Sequence, residues 1–386
     1  MKSKLFAVFF TALTVFSLTL STVSYAESGK AVIESDARSL ILIEAETGTV
    51  LYEKDADLPL PPASVTKVMT MLLVMEAVDS GKISLNDTVT VSPYAANMGG
   101  SQVYLEAGEQ MSVHEMLKCV VVSSANDACV ALAEHIAGSE EAFVAQMNTR
   151  AKELGMNHTS FENTNGLDDD TVNHLTSARD IAIMSAELIS NHPKILEYSS
   201  IWMDSIRNGE FGLTNTNRLI RFYNGANGLK TGSTSKAKFC ISASAKRNGM
   251  QLICVVMGAQ SRDSRNEVAK KLLDYGFANY AYESFSGGGV SALTEIPILG
   301  STKNTVTLNY GSFETVVEKQ NAGKIECQTV LPESVNAPIA EGQEIGKLIY
   351  SLNGEILCEV PITAGNDAAR ITFGEIFSRL FKLFLF

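Results

Sequence analysis

Ser64 and Lys67 stand three residues apart in the stretch Ala63-Ser64-Val65-Thr66-Lys67, directly after Pro61-Pro62 and ahead of an apolar run from Val68 to Val74. Proline fixes φ and suits the entry to a helix, so the spacing predicts Ser64 at a helix start with Lys67 one turn on. Residues at i and i+3 share a face, which lets the amine reach the hydroxyl. A serine hydroxyl is a weak nucleophile until a base takes its proton. A lysine serves as that base when burial or a second cation lowers its pKa. On its own, Ser-x-x-Lys is also what a capping serine and a solvated lysine look like. Two further stretches change its weight. Ser124-Ala125-Asn126 falls between apolar runs, and Lys230-Thr231-Gly232 precedes a strand-like segment. The five histidines form no His-x-x-x-His pair, and the six cysteines form no Cys-x-x-Cys pair, so the expectation is no metal and no cofactor.

The elements that must position these groups are legible by pattern. Ser39 to Ile43 and Thr49 to Tyr52 read as strands joined at Glu46-Thr47-Gly48. Asn86 to Ser92 reads as a connection, and Met98-Gly99-Gly100-Ser101 as a loop bordering a cleft. Ser112-Val113-His114-Glu115 is a capping box before a helix that ends near Ser123-Ser124. Helices are expected over Asp127 to Ile136, Glu141 to Leu154 and Ser177 to Ile189. Phe239 to Ala245 and Met250 to Met257 flank Asn248-Gly249, whose positive φ preference marks a tight hairpin. A helix over Arg265 to Tyr282 closes the unit, burying Val268, Leu272, Leu273 and Phe277. From Ser286-Gly287-Gly288-Gly289, a linker signal, the chain turns to short strand-like runs, with a second hairpin at Asn353-Gly354. At the end, Phe373, Ile376, Phe377, Leu380, Phe381 and Phe384 recur at helical spacing, opposite Glu375, Ser378, Arg379 and Lys382. That tail is too short and too charged to span a bilayer and fits an amphipathic helix lying in the interface; the competing expectation is a helix packed on the protein's own surface.

Ser64-Val65-Thr66-Lys67, Ser124-Ala125-Asn126 and Lys230-Thr231-Gly232, in that order, are the three-part set of penicillin-binding proteins and serine β-lactamases. The chain resembles the low-molecular-mass penicillin-binding proteins of the D-alanyl-D-alanine carboxypeptidase type, from about Ala31 to the C-terminus. The hairpin from Ile41 to Tyr52, the run from Ser124 to Ala133, Asn165-Gly166-Leu167-Asp168 and Ser177-Ala178-Arg179-Asp180 extend the resemblance. It implies an α+β fold: a β-lactamase/transpeptidase-like catalytic domain, an antiparallel sheet flanked by helices, then a small all-β domain and the amphipathic helix. The divisions expected are 1–26 signal peptide, 27–283 catalytic domain, 290–365 β-rich domain and 370–386 tail. It further implies that Ser64 attacks the carbonyl between two D-alanines, with Lys67 as base and Ser124 passing a proton to the leaving amine. Asn126 would hold the substrate amide. Lys230, Thr231 and Arg265 would meet the substrate's terminal carboxylate, and Gly232 would let the substrate backbone approach. The backbone N–H groups of Ser64 and Ser233 would form the oxyanion hole. One departure stands out: Lys238 occupies a position where the family usually carries Gly, which bears on local strand geometry.

The chain has 386 residues, room for a large core and two domains, with a formal net charge of −12 that argues against a nucleic-acid partner. Lys2 and Lys4, an apolar run from Leu5 to Leu20 and Ser24-Tyr25-Ala26 read as a secretory signal. The expected location is therefore the outer face of the cytoplasmic membrane and the cell wall. An even cysteine count in an exported chain permits disulfides, but the cysteines lie in apolar or strand-like runs, where free thiols are at home. The partners expected are peptidoglycan stem peptides ending in D-Ala-D-Ala, β-lactams as inhibitors, and the membrane surface. A serine β-lactamase uses the same parts but commonly needs a Glu-x-x-Leu-Asn loop, and none lies between Asn126 and Lys230. A transpeptidase, and a non-catalytic wall-associated scaffold with a relic site, are the other readings.

Overall fold

The computed structural model describes residues 32–286 and 293–385. The expected signal segment and most of the Ser286-Gly289 linker lie outside them.

A five-stranded antiparallel sheet organises the first part. Its strands are β1 (Ser39–Glu44), β2 (Val50–Lys54), β3 (Ala226–Thr234), β4 (Lys238–Arg247) and β5 (Met250–Ala259), in the order β2-β1-β5-β4-β3. Every residue of β5 is buried, as expected of a central strand covered on both faces. Alternate residues of β1 face opposite ways. Ile41 and Ile43 join a helical core, while Leu42 reaches toward Gly276 on the other face. The hairpin between β4 and β5 turns on Asn248 (φ +50°) and Gly249 (φ +84°), the doubly positive pair such a turn demands.

The helical core lies on the Ile41 face. A 3₁₀ turn, Ala63–Thr66, leads into α1 (Lys67–Asp79), whose residues from Lys67 to Met75 are all buried. A helix apolar on every side belongs in the interior. Around it stand α2 (Val113–Val122), α3 (Asn126–Ala137), α4 (Glu140–Glu153) and α5 (Ala178–Asn191). Their starts follow the sequence reading. Ser112 forms both halves of the capping box with Glu115, and Ser139 and Ser177 cap α4 and α5. The opposite sheet face is covered by α6 (Arg262–Asn279), where Gly276 comes so near that a Cβ would sit 2.6 Å from Leu252.

Three expectations need correction here. The closing helix stops at Asn279 rather than Tyr282, because Tyr280–Phe285 turns into a strand, β6. Phe277 is only half-buried, lying beneath the Arg247 guanidinium. The connection over 86–92 also contains a short strand, Thr88–Thr90, paired with Gln110–Ser112.

Beyond residue 292 the described chain is β7 (Glu295–Leu299), β8 (Thr305–Tyr310), β9 (Phe313–Glu318), β10 (Glu326–Val330), β11 (Val335–Asn336), β12 (Glu344–Leu352) and β13 (Glu355–Ala364). Six form a sheet in the order β10-β12-β13-β8-β7-β11, and β9 pairs with β6. Its own core includes Ile296, Val306, Leu348, Tyr350 and Ile362. The chain ends in α7 (Phe373–Leu385). All six cysteines are free; four are buried, whereas Cys327 is exposed and Cys358 half-buried, both on strands as their runs suggest.

Candidate active site

Ser64 sits in the 3₁₀ turn at the mouth of a cleft of about 690 Å³, and Lys67 is the first residue of α1. The tighter helical turn brings Lys67 Nζ to 3.0 Å from Ser64 Oγ. The amine also reaches Asn126 Oδ1 at 2.6 Å and the carbonyl of Asn165 at 2.7 Å. A neutral amine has two N–H bonds and one lone pair. With two acceptors already served, the lone pair is left facing the Ser64 hydroxyl. Burial pushes the Lys67 pKa down to about 8, against the pull of nearby Cys129 and Asp127.

Ser124 lies at the end of the α2–α3 connection with φ +62°, a left-handed conformation rare for a side chain with a Cβ. It does not cap α3, whose N-cap is Ala125. Its hydroxyl instead accepts a hydrogen bond from Lys230 Nζ at 2.8 Å. Lys230 is on β3 and fully buried, and its amine is held well below its ordinary pKa by burial first and by Lys67 second. The sequence reading allowed either burial or a second cation such as Lys230 to lower the Lys67 pKa. Burial is the dominant cause at Lys67, and the repulsion between the two amines falls on Lys230. Asn126 is more engaged than its motif suggests. Its Oδ1 takes the Lys67 amine and its Nδ2 donates to the Gly99 carbonyl at 2.7 Å, so one N–H remains for a ligand.

Thr231, Gly232 and Ser233 line the cleft. Gly232 is required for a reason the sequence did not reveal. A Cβ there would lie 2.7 Å from the Ser64 nitrogen and 2.9 Å from the Pro62 carbonyl. The close neighbour is the turn that carries Ser64. Arg265, in the first turn of α6, is buried and lines the same cleft. Its guanidinium donates to Asn266 Oδ1 at 2.9 Å and has no carboxylate partner among the described residues. Burial, then neighbouring Arg262, pushes its pKa down to about 10. Arg218 and Arg262 join it in the cleft wall, a cationic end in an acidic protein. All nine expected site residues thus gather at one place, six on the cleft surface or its floor and Lys67, Asn126 and Lys230 beneath it.

The loop 159–176 supplies what sequence reasoning missed. In the sequence Asn165-Gly166-Leu167-Asp168 stands out only by its resemblance to the family. Its Asn165 carbonyl is one of the two acceptors on Lys67, and a backbone carbonyl leaves no mark on side-chain type. The preceding residue is pinned from both sides. Thr164 donates through N and Oγ1 to buried Glu140, and its carbonyl accepts from Thr70 Oγ1 at 2.6 Å. Asp168 holds the far end, accepting from Thr234 Oγ1 at the β3–β4 turn. Among the described residues one group of metal-ligand types, Glu76, Glu187 and His192, stands apart from the cleft lining, and both its carboxylates already accept from Arg150.

A buried lysine against a turn-borne serine, beneath a Lys-Thr-Gly strand and joined to an all-β domain, defines the penicillin-binding class of active-site-serine folds. Residues 25–261 match the family described as D-alanyl-D-alanine carboxypeptidase, and residues 290–370 match the penicillin-binding protein 5 C-terminal domain. The D-alanyl-D-alanine carboxypeptidase DacF of Bacillus subtilis is 42% identical over 343 residues, covering 88% of this chain and 87% of that protein. Penicillin-binding protein 5 of Haemophilus influenzae superposes with a TM-score of 0.75 at 32% identity, over 88% of this chain and 99% of that one. Penicillin-binding protein D2 of Listeria monocytogenes, solved in its ampicillin-bound form, superposes with a TM-score of 0.59 at 32% identity, over 64% of this chain and all of that one. This chain belongs to the D-alanyl-D-alanine carboxypeptidase family.

Proposed function

We propose that this chain is an exported serine carboxypeptidase that removes the terminal D-alanine from peptidoglycan stem peptides through an acyl-enzyme on Ser64. The observation that carries the reading is the Lys67 amine 3.0 Å from the Ser64 hydroxyl, with its other two hydrogen bonds taken by acceptors and its pKa lowered by burial to about 8. Ser64 Oγ attacks the carbonyl of the penultimate D-alanine as its proton passes to Lys67. The oxyanion forms between the backbone N–H groups of Ser64 and Ser233. Ser124, already accepting from Lys230, hands its own proton to the leaving amine, and the proton that Lys67 took from Ser64 replaces it; water then attacks the ester with the freed Lys67 amine as base, and that proton returns to Ser64 Oγ as the acid leaves.

The terminal carboxylate of the peptide enters toward Thr231, Lys230 and Arg265. A carboxylate beside Lys230 offsets part of its burial penalty and favours the ammonium. That charge in turn favours neutral Lys67, so substrate binding prepares the base. Asn126 donates its remaining N–H to the substrate amide. Family membership supports the substrate class, and the ampicillin-bound Listeria neighbour supports β-lactams as inhibitors that acylate the same serine. The division into a catalytic domain over 27–283, a β-rich domain over 290–365 and a membrane-associating tail over 370–386 completes the proposal, with the tail holding the cleft at the outer membrane face.

The test is mass spectrometry after labelled penicillin, alongside D-alanine release from a diacyl-D-Ala-D-Ala peptide, with Ser64→Ala as control. The expected result is an adduct on Ser64 and D-alanine release that the mutant lacks. Rapid penicillin turnover without peptide cleavage means a β-lactamase instead, and neither adduct nor release from folded protein means a scaffold.

A further inference from the structure

The peptide unit joining Ala63 to Ser64 carries two groups back to back. The Ala63 carbonyl and the Ser64 N–H point in opposite directions across one rigid plane. Whatever fixes the carbonyl therefore aims the N–H. The carbonyl accepts a hydrogen bond from Thr66 Oγ1 at 2.8 Å. Thr66 Oγ1 in turn lies 2.8 Å from His174 Nε2, and His174 Nδ1 accepts from the backbone N–H of Glu162 at 3.0 Å. A backbone N–H can only donate, so Nδ1 carries no proton. The proton of the neutral ring sits on Nε2 and is donated to Thr66, whose own proton goes to Ala63. The order is thus fixed: Glu162 N–H, imidazole, hydroxyl, carbonyl. Ala63, Thr66 and His174 are all buried.

The turn needs holding. Ala63 has φ +50°, a left-handed conformation that disfavours a residue with a Cβ. Glycines enclose the peptide on two sides. A Cβ on Gly166 would fall 1.8 Å from the Ala63 carbonyl oxygen, and one on Gly232 would fall 2.7 Å from the Ser64 nitrogen. Glu162 and Asp168 on the loop and Lys67 on α1 are the charged groups that face the imidazole. Burial outweighs the carboxylates and pushes its pKa down to about 4, so the accepting form of Nδ1 is the one present at neutral pH.

We propose that His174 is a positioning residue of the reaction: through Thr66 it orients the Ala63–Ser64 peptide so that the Ser64 N–H points into the oxyanion hole. The proposal rests on the reading of Ser64 as nucleophile and its N–H as an oxyanion donor. A hydrogen bond to the carbonyl also polarises the same peptide and strengthens its N–H as a donor. The imidazole touches neither substrate nor reacting atoms.

The experiment uses the full chain and fluorescent penicillin in stopped flow, which separates the acylation rate from the non-covalent Kd. Thr66→Val keeps the side-chain shape and cuts the relay, Thr66→Ser keeps the hydroxyl, and His174→Asn removes the far end. Misaiming one oxyanion donor should lower acylation by about 10- to 100-fold in Thr66→Val, with Kd changed by less than about threefold. Thr66→Ser should stay within about threefold of the parent, and Thr66→Val with His174→Asn should lose no more than the worse single variant, because both cut one relay. Unchanged acylation in Thr66→Val, losses confined to Kd, or additive losses overturn the relay while the adduct still maps to Ser64. An adduct on the Ser64→Ala protein overturns the parent reading, and the proposal with it.

Discussion

At the scale of single residues, the proposed reaction makes the amine of Lys67 the group that sets its pH dependence. Its pKa in the folded protein is about 8, pushed down from an ordinary 10.5 by burial. Below that value the amine is protonated and has no lone pair for the Ser64 hydroxyl. Each unit of pH below about 8 should therefore cost about tenfold in acylation rate, with a plateau above it. Stopped-flow acylation between pH 5.5 and 9.5 would reveal the limb, and a rate independent of pH across that span would remove Lys67 as the base. Lys67→Arg, which cannot lose its proton, should leave acylation at least about 100-fold down at every pH. Ser64, Lys67, Ser124 and Lys230, which the structure brings together, were legible in the sequence because they meet through side chains of distinctive type. Asn165, Thr66 and His174 were not. Asn165 presents a backbone carbonyl, which any residue type supplies. His174 stands 108 residues from the hydroxyl it meets, and no spacing rule connects them.

At the scale of elements, what is local in the chain was legible and what is non-local was not. The capping box at Ser112 and the turns at Asn248-Gly249 and Asn353-Gly354 depend on neighbours within a few residues, and they form as read. The strand Tyr280–Phe285 owes its existence to a partner at 313–318, and it was taken for the end of a helix. Lys238 tests the local rule from the other side. It opens β4 with φ +59°, just after the tight turn from Thr234, and its side chain is exposed. Glycine meets no steric penalty there, which is the physical sense of the glycine usual in the family. Replacing Lys238 by Gly should raise unfolding free energy by about 1 kcal/mol, the relief of left-handed strain less the added freedom of the unfolded chain. Urea unfolding of the two proteins measures it, and a less stable Lys238→Gly protein would mean that the lysine stem makes contacts worth more than the strain.

At the scale of the whole molecule, the proposed placement of the cleft at a membrane surface rests on the tail. Its apolar residues are not spent on this protein's own surface: Phe373 is 82% exposed, Phe377 60% and Phe381 56%. The competing expectation of a helix packed on its own surface therefore fails for these side chains. The root of the helix is nonetheless fixed to the β-rich domain. Ile371 N–H donates to the Gly300 carbonyl at 2.7 Å, and Arg379 reaches the Thr302 carbonyl. A firmly rooted helix with its aromatic side chains in solvent is an unfavourable arrangement in water, and a bilayer interface relieves it by taking up the apolar face. No described helix is long and apolar enough to cross a membrane, so the expected mode is lying in the interface. The acidic protein as a whole is not drawn to anionic lipid, which leaves apolar burial as the main attraction. The full chain should therefore sediment with neutral phosphatidylcholine vesicles, and 0.5 M salt should release little of it. Phe377→Ser with Phe381→Ser should leave the protein in the supernatant while D-alanine release from a soluble peptide stays unchanged, because neither residue lines the cleft. Binding that survives the double substitution would locate the membrane contact elsewhere, and binding abolished by salt would make it electrostatic.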